Sequence, residues 1–320
     1  MKILVIQNRM GIGDTIIFLP FIEAISKKYN SPIDLLVRQN SKAEQYLDGS
    51  NYIKNIFTLD RNSSYNGKHD GFFGAWNLIL NFREKKFDKI FIFNSSLRYN
   101  IIAKLAGIKE IYQYPLFKKN KQHITETAKK FIEDSINVKV FNDPKIDVPE
   151  FKIKEAISRF TINKNDLNII LGIGGSGPTK RIPAKIFLAF MEKITKIKKC
   201  RFFLATGKNI EEQKILNDVI NSKYKNLCTP LDFLTIKETL PIIKNCDVAV
   251  CNDTSYSHLS SALGIKTITL MADTPLIYGS YSSKMFPIIP DGVENVTHNT
   301  FGKNNINPEK IFKKLIEIIN

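Results

Sequence analysis

The sequence predicts an α/β protein built of βα units on parallel sheets and divided into two domains. Short apolar runs alternate with helical-period segments from end to end, as they do when crossover helices cover parallel strands. The alternation restarts after residues 142–151 (NDPKIDVPEF), a stretch with Pro144 and Pro149 and no apolar period, which reads as a linker. A chain of 320 residues also exceeds one module at roughly 150 residues per domain. We therefore expect domains over 1–145 and 146–320, with a cleft between them of the kind small ligands prefer.

In the first half the runs KILVIQ (2–7), IDLLV (33–37), KNIFTL (54–59), DKIFIF (88–93) and KEIYQ (109–113) predict strands, because β-branched and aromatic residues dominate them. Apolar spacing predicts helices over 15–29, 41–47, 75–86, 97–106 and 123–136. Residues 60–74 (DRNSSYNGKHDGFFG) are rich in Gly, Ser and Asn and predict a long irregular loop. In the second half strands are expected at 167–173, 201–206, 225–228, 247–251 and 265–271, and helices at 183–197, 209–221, 235–244, 254–263 and 308–319.

Composition narrows the function. Hydrophobic residues make up 43% and charged residues 24%, which excludes wholesale disorder and fibrous architectures. The net charge is +16, with 23 basic and 16 acidic side chains in residues 1–150 and 24 and 15 in the remainder. Only 8 of the 47 basic residues are Arg. An even, Lys-rich excess without an Arg-and-aromatic stripe argues against nucleic acid. A solvated surface accounts for it, as does an anionic partner such as a membrane face or phosphorylated glycolipid. Cys200, Cys228, Cys246 and Cys251 form no C-x-x-C pair, so zinc and redox motifs fail and buried thiols in a reducing compartment are expected. The N-terminus lacks a signal-peptide core, and the apolar stretch Ile16 to Ile25, broken by Pro20 and Glu23, is far short of the ~18 residues that span a bilayer. A cytoplasmic protein, at most peripheral on the inner membrane, is expected.

The chemistry gathers after strands, where parallel sheets bind ligands. After the first comes Asn8-Arg9-Met10-Gly11-Ile12-Gly13-Asp14. A dinucleotide turn is disfavoured, because Ile16 takes the third glycine position and no acidic residue ends the second strand. Asp14 reads either as an N-cap or first-turn carboxylate, or as a base projecting from the helix start. After 167–173 comes Gly174-Gly175-Ser176-Gly177-Pro178-Thr179-Lys180-Arg181-Ile182-Pro183. Glycine N–H groups, hydroxyls and two cations make this a phosphate loop in composition, without Walker A spacing. A plain glycine turn with solvated cations is its bland alternative. After 247–251 comes Asn252-Asp253-Thr254-Ser255-Tyr256-Ser257-His258, where capping would explain Asp253 and Thr254, and His258 reads as a structural histidine as readily as a ligand.

Together R-x-G-x-G-D (9–14), G-x-G-P-x-K-R-x-P (175–183) and D-T-x-x-x-H-L-x-x-A-L-G (253–264) resemble glycosyltransferase family 9, the ADP-heptose:lipopolysaccharide heptosyltransferases. The match is ordered and runs from Lys2 to about Pro275. The resemblance implies a GT-B fold, two facing Rossmann-like domains with parallel sheets, with the acceptor on the N-terminal side and the nucleotide sugar on the C-terminal side. It implies Asp14 as the general base and Lys180 on the diphosphate, with Gly175, Ser176 and Thr179 nearby and Arg181 adding charge. Asp253 would hold sugar hydroxyls, the backbone of Thr254 and Ser255 would cradle phosphate, and His258 belongs to the same donor set. Glu211, or Glu212 one register on, would bind ribose, and Thr229 to Leu231 would pass near the adenine.

Ser255 stands where the family usually has Gly, which bears on the donor sugar. Gly13, Lys68, Arg98 and Lys119 are candidate contacts for an anionic acceptor, beside Tyr65, His69, Phe72, Phe73, Trp76, Lys118, Lys121 and His123. Surface charge and a helix packing face explain these equally well. No two Asp residues form a D-x-D pair, so no metal or other cofactor is expected. The resemblance implies inverting transfer of a heptose from ADP-heptose to a lipopolysaccharide core or other surface glycan. A different nucleotide sugar or a protein acceptor on the same fold is the nearest alternative, and a non-catalytic nucleotide- or polyanion-binding protein is a further one.

Overall fold

The central strands are runs of apolar residues buried on both faces, which is what a parallel sheet covered by helices on each side requires. In the computed structural model, which describes residues 1–61, 64, 66–115, 124–175 and 177–320, the chain divides into two compact units, Met1–Pro144 and Lys145–Asn320.

Unit 1 comprises β1 (Ile3–Gln7), α1 (Ile12–Tyr29), β2 (Ile33–Arg38), β3 (Ile53–Leu59), α2 (Gly71–Lys85), β4 (Lys89–Ile92), α3 (Leu97–Leu105), β5 (Glu110–Gln113) and α4 (Ile124–Ile136). Its sheet has the order β3-β2-β1-β4-β5 and every pair is parallel. All five residues of β1 are buried, and in register Val5 lies between Leu35 and Phe91. The edge strands β3 and β5 are partly exposed. One face carries α2 and α3 over Leu4, Ile6, Ile90 and Ile92. On the side of α1 and α4, the rings of Phe18, Phe93 and Phe131 meet edge-on at centroid distances of 5.1 and 5.2 Å, a geometry that adds to simple burial. α1 runs through Pro20 because the surrounding turn, Ile16 to Ile22, is wholly buried; packing offsets the lost backbone bond.

Unit 2 comprises α5 (Glu150–Arg159), β6 (Leu167–Gly172), α6 (Ala184–Thr195), β7 (Cys200–Ala205), α7 (Ile210–Ile220), β8 (Cys228–Pro230), α8 (Ile236–Lys244), β9 (Val248–Asn252), α9 (Ser255–Ala262), β10 (Lys266–Leu270), β11 (Met285–Ile288) and α10 (Pro308–Ile319). The order is β11-β10-β9-β6-β7-β8, again parallel throughout. Its core joins Phe187, Phe190 and Met191 of α6 to Phe202, Leu204, Val250 and Ile268 of the sheet. Cys200, Cys246 and Cys251 are buried, Cys228 is half-buried, and all four are free; burial pushes the thiols of Cys200 and Cys251 up to about 12.

Four local expectations fail for identifiable reasons. Residues 41–47 form no α-helix: two short 3₁₀ turns, Gln39–Ser41 and Ala43–Gln45, are separated by Lys42 in the left-handed region at φ 48°, which no helix tolerates. Residues 225–227 are a 3₁₀ turn and the strand begins only at Cys228. α5 starts inside the expected linker at Glu150, with Pro149 as its N-cap. β11 was hidden by Pro287, which an edge strand accepts because one side of its ladder is unused.

Candidate functional site

Both sheets reverse their winding beside the first strand of the unit, between β1 and β4 and between β9 and β6. Loops diverge at such a switch point and leave a crevice at the carboxyl ends of the strands. Every motif singled out in the sequence opens on one of these two crevices.

In unit 1 the turn after β1 passes through Gly11 at φ 101° and ψ 163°, a conformation essentially restricted to glycine. Gly11 is the N-cap, so Asp14 is a first-turn carboxylate of α1 and not the cap. Gly13 lies in the same turn. The Asp14 side chain is 24% exposed, with Arg9 Nη1 4.0 Å from its Oδ1. Asn94, just beyond β4, donates through Nδ2 to Asn8 Oδ1 at 3.0 Å and joins the two sides of the crevice.

The loop before α2 is organised by two carboxylates. Asp60 Oδ2 accepts from the Lys68 N–H at 3.1 Å, and Asp70 accepts from Arg61 Nε at 2.9 Å and from the Gly67 N–H at 3.1 Å. His69 Nδ1 accepts from the Asp60 N–H at 3.0 Å, and burial, then Lys68, holds its pKa below the ordinary value. His69 is thus a neutral scaffold residue. Arg98 Nη2 donates to the carbonyls of His69 and Gly71, both at 2.9 Å. Its Nε is buried without a partner among the described residues, and its pKa is pulled down by burial and then by Arg61. Two neighbouring guanidiniums with an unused donor suit an anion. Lys68 is exposed. Phe72, Phe73 and Trp76 do not form a packing face: they are 78%, 83% and 48% exposed. Tyr65, Lys118, Lys119, Lys121 and His123 lie outside the described residues.

In unit 2 the structure brings three motif residues into one line. Lys180 Nζ donates to Asp253 Oδ2 at 2.8 Å, and Asp253 Oδ1 lies 3.8 Å from His258 Nε2. His258 Nδ1 is 2.7 Å from the Tyr281 hydroxyl, and the two rings stack at 5.6 Å. Burial lowers the His258 pKa to about 4; Asp253 opposes this and Lys180 adds to it. A neutral ring with its proton on Nε2 fits both neighbours. Burial is the largest single influence on the Asp253 carboxyl and pushes it up, but Lys180, then His258 and Thr274, together bring it below its ordinary value. Lys180, which acts through both its charge and its hydrogen bond, is the foremost of the groups that keep Asp253 ionised.

Capping does not explain this site. Thr254 is the N-cap of α9 yet its side chain makes no cap bond, and its Oγ1 is buried without a partner among the described residues. Asn252 ties β9 to the phosphate loop by donating to the carbonyls of Ile173 and Gly174, both at 3.0 Å, while its Oδ1 has no partner among the described residues. Thr206 Oγ1, beyond β7, is likewise buried and unpartnered. Buried polar atoms left unmatched at strand ends are what a polar ligand would complete.

The remaining loop residues divide into ties and exposed groups. Arg181 donates from Nε to the Gly175 carbonyl at 2.8 Å and pairs with Glu211, so its charge is already matched. Glu211 is 68% exposed at the start of α7. Glu212, its neighbour, is buried, accepts from the Gly175 N–H at 2.7 Å and bonds the Asn209 amide. Glu212 is therefore the buried support of the glycine-rich loop, while Glu211 is exposed and paired with Arg181. Thr179 and Ser255 are half-buried beside these loops. Thr229 and Pro230 end β8, and Leu231 is fully buried beneath them. Ser176 lies outside the described residues. Among the described residues no group of three or more His, Cys, Asp or Glu is placed to hold a metal ion, and no helix is long and apolar enough to cross a membrane.

Sequence reasoning missed Tyr281, Arg61 and the function of Asn252. Tyr281 lies 23 residues from His258, in a segment without any motif, and nothing local signals it.

Comparison with known proteins bears on the same residues. Residues 76–300 match the family model for glycosyltransferase family 9 (heptosyltransferase); this span contains the Lys180, Asp253 and His258 motifs, and Asp14 precedes it. A lipooligosaccharide heptosyltransferase 2 of Campylobacter jejuni (serotype O:6) is 30% identical over 198 residues, 59% of this chain and 59% of its own length. A lipopolysaccharide heptosyltransferase 1 of Campylobacter coli is 28% identical over 52% of this chain and 51% of its own. The matched region thus spans about half to three-fifths of these relatives. Over whole chains, the E. coli ADP-heptose LPS heptosyltransferase II superposes with a TM-score of 0.77 at 16% identity, covering 100% of this chain and 98% of that one. A family 9 glycosyl transferase from Veillonella parvula gives 0.80 at 17%, covering 99% and 97%. Two α/β units, each on a parallel sheet and of the fold seen in GT-B heptosyltransferases, together with a family model that matches well over half of the sequence, place the chain: it belongs to glycosyltransferase family 9, the heptosyltransferase family.

Proposed function

We propose that the protein is an inverting, metal-independent glycosyltransferase that moves a heptose from ADP-heptose to an anionic surface-glycan acceptor of the lipopolysaccharide core type. The observation that carries this reading is the Lys180–Asp253–His258 line at the switch point of unit 2. It holds a cation and an ionised carboxylate between the glycine-rich loop after β6 and the start of α9. The relatives' names supply the donor and acceptor classes.

In the proposed reaction the Asp14 carboxylate takes the proton of an acceptor hydroxyl. The freed oxygen forms a bond to the anomeric carbon while the bond from that carbon to the diphosphate oxygen breaks, and the electron pair leaves with ADP. Attack opposite the leaving group inverts the centre. With no D-x-D pair in the sequence, the charge building on the diphosphate is met by Lys180 and by backbone N–H groups at the α9 N-terminus. Asp253 accepts from donor sugar hydroxyls, and Glu211 from the ribose. Arg61 and Arg98, with Lys68, receive the acceptor's negative charge.

The test is transfer from ADP-heptose to a purified, truncated lipopolysaccharide acceptor. Removing a general base typically costs 10²- to 10⁴-fold in rate, so Asp14→Ala should lower turnover by about that factor and leave ADP affinity within about twofold. A variant that turns over at the wild-type rate would remove Asp14 from the mechanism.

A further inference from the structure

α2 is apolar on two opposite faces. Gly74, Leu78, Ile79 and Phe82 pack on the sheet, while Phe72, Trp76 and Leu80 form a second row, one residue per turn, that is exposed. A helix apolar all round is normally buried. α3 repeats the pattern: Tyr99, Ile102 and Ala103 face the core, and Leu97, Ile101 and Leu105 are 39%, 50% and 51% exposed.

The two outer rows lie side by side. Arg98, at the start of α3, bonds the carbonyl of Gly71 at the start of α2, and Arg83, near the end of α2, donates to the Leu105 carbonyl at the end of α3. The helices therefore run parallel, and their exposed rows merge into one apolar patch. Phe73 extends it, its ring 6.1 Å from that of Phe72. Other exposed apolar residues, such as Phe141 between α4 and α5 and Ile210 at the start of α7, stand far apart in the sequence. A contiguous patch rimmed by polar groups marks an interaction surface.

The rim is basic. Residues 66–109 carry eight Lys and Arg against three Asp and Glu, and Lys68, Lys86, Lys104 and Lys109 are exposed at the two ends of the pair of helices. We propose that this α2–α3 face docks the protein on an anionic lipid bilayer, with Phe72, Phe73 and Trp76 seated at the headgroup boundary and the lysines on lipid phosphates. Amphipathic surfaces with aromatic residues and a lysine border partition in this way. A second copy of the chain is disfavoured as the occupant, because each copy would bring the same basic rim and a net charge of +16. The docking rests on the surface alone; its use in capturing a membrane-borne acceptor rests on the transferase reading.

Trp76 is the one tryptophan in the sequence, so the patch carries its own reporter. The full chain is mixed with glycolipid-free vesicles of phosphatidylcholine, with and without phosphatidylglycerol. The expected result is a blue shift of Trp76 emission and protection from iodide on phosphatidylglycerol vesicles only, reversed by salt. The triple variant Leu80→Ser, Ile101→Ser, Leu105→Ser, which keeps the reporter, should bind about tenfold more weakly or worse. Lys86→Ala and Lys104→Ala should each weaken binding about fivefold. Circular dichroism melting checks that the variants fold, and transfer to a soluble, delipidated acceptor should proceed in the triple variant at about the wild-type rate. An unshifted wild-type Trp76, equal binding to neutral vesicles, or a shift that follows protein concentration without lipid overturns the proposal. Failure of transfer in wild type and variant alike would instead count against the transferase reading.

Discussion

Asp253 keeps its charge although only 4% of its side chain is exposed. Desolvation alone would push the carboxyl up, and the Lys180 ammonium at 2.8 Å leads the groups, with His258 and Thr274, that together reverse the sign. Removing the cation from such a pair leaves a buried charge, which typically costs about 3–5 kcal/mol. Lys180→Met should therefore lower the melting temperature, and the loss should depend on pH in a defined direction. In the wild type the folded carboxyl lies below its ordinary value, so its contribution is present above about pH 4 and lost below it. In the variant, burial raises the folded value above the unfolded one, and stability falls as pH rises from about 4. The gap in melting temperature between the two proteins should widen from pH 4 to pH 7, with ADP affinity reduced at pH 7; a constant gap would mean that Lys180 does not hold the charge on Asp253.

The same residues show what a sequence discloses. Asp14, Lys180, Asp253 and His258 follow strands in motifs a few residues long, so their strand-end position was legible. The distinction between Glu211 and Glu212 was not, because it depends on which carboxylate turns inward beneath a loop 37 residues away in sequence. Arg98 was legible as a cation, while its clamp on the Gly71 carbonyl, 27 residues distant, needed the fold.

At the level of elements, the phosphate loop and α7 are one device. Glu212 sits in the first turn of α7, where a carboxylate suits the helix N-terminus, and its side chain reaches up to the Gly175 N–H. The space for it is made by glycines. A Cβ on Gly207 would fall 2.3 Å from Glu212 Oε2, and one on Gly174 would fall 2.5 Å from Oε1. Because Glu212 is buried and bonded at both oxygens, it has little freedom to move aside. Gly207→Ala should displace the carboxylate, release Gly175 and loosen the loop, at a cost of roughly 1–3 kcal/mol in stability and with weaker ADP binding measured by calorimetry. Gly292→Ala, at φ 81° with no atom near its Cβ, is the control: it costs backbone strain but should leave ADP affinity unchanged. Strand identity was legible wherever continuous Ile, Leu, Val and Phe demanded burial on both faces, as in β1 and β6. It failed at β11, where Pro287 masks an edge strand, and at the helix expected over 41–47, which the left-handed Lys42 divides.

On the scale of the whole molecule, each unit has its own sheet, core and switch-point crevice, and the proposed roles divide accordingly: the nucleotide on Lys145–Asn320, the acceptor on Met1–Pro144. That division has a thermodynamic consequence. A ligand stabilises the state that binds it by about 2.7 kcal/mol at a hundredfold excess over Kd, and amides report the unit in which the stabilisation is felt. Hydrogen exchange with saturating ADP should therefore slow most in peptides covering the phosphate loop, the end of β9, α9 and the start of α7. Peptides of β1, α1 and α2 should exchange at the free-protein rate. Because Glu212 joins the loop to α7 and Asn252 joins it to β9, the protection should extend along both elements and not stop at residues in contact with phosphate. Equal protection of β1 and α1 would show that ADP stabilises both units and that the nucleotide is not held by unit 2 alone. Protection confined to unit 1 would reverse the assignment of donor and acceptor, and with it the role of Lys180.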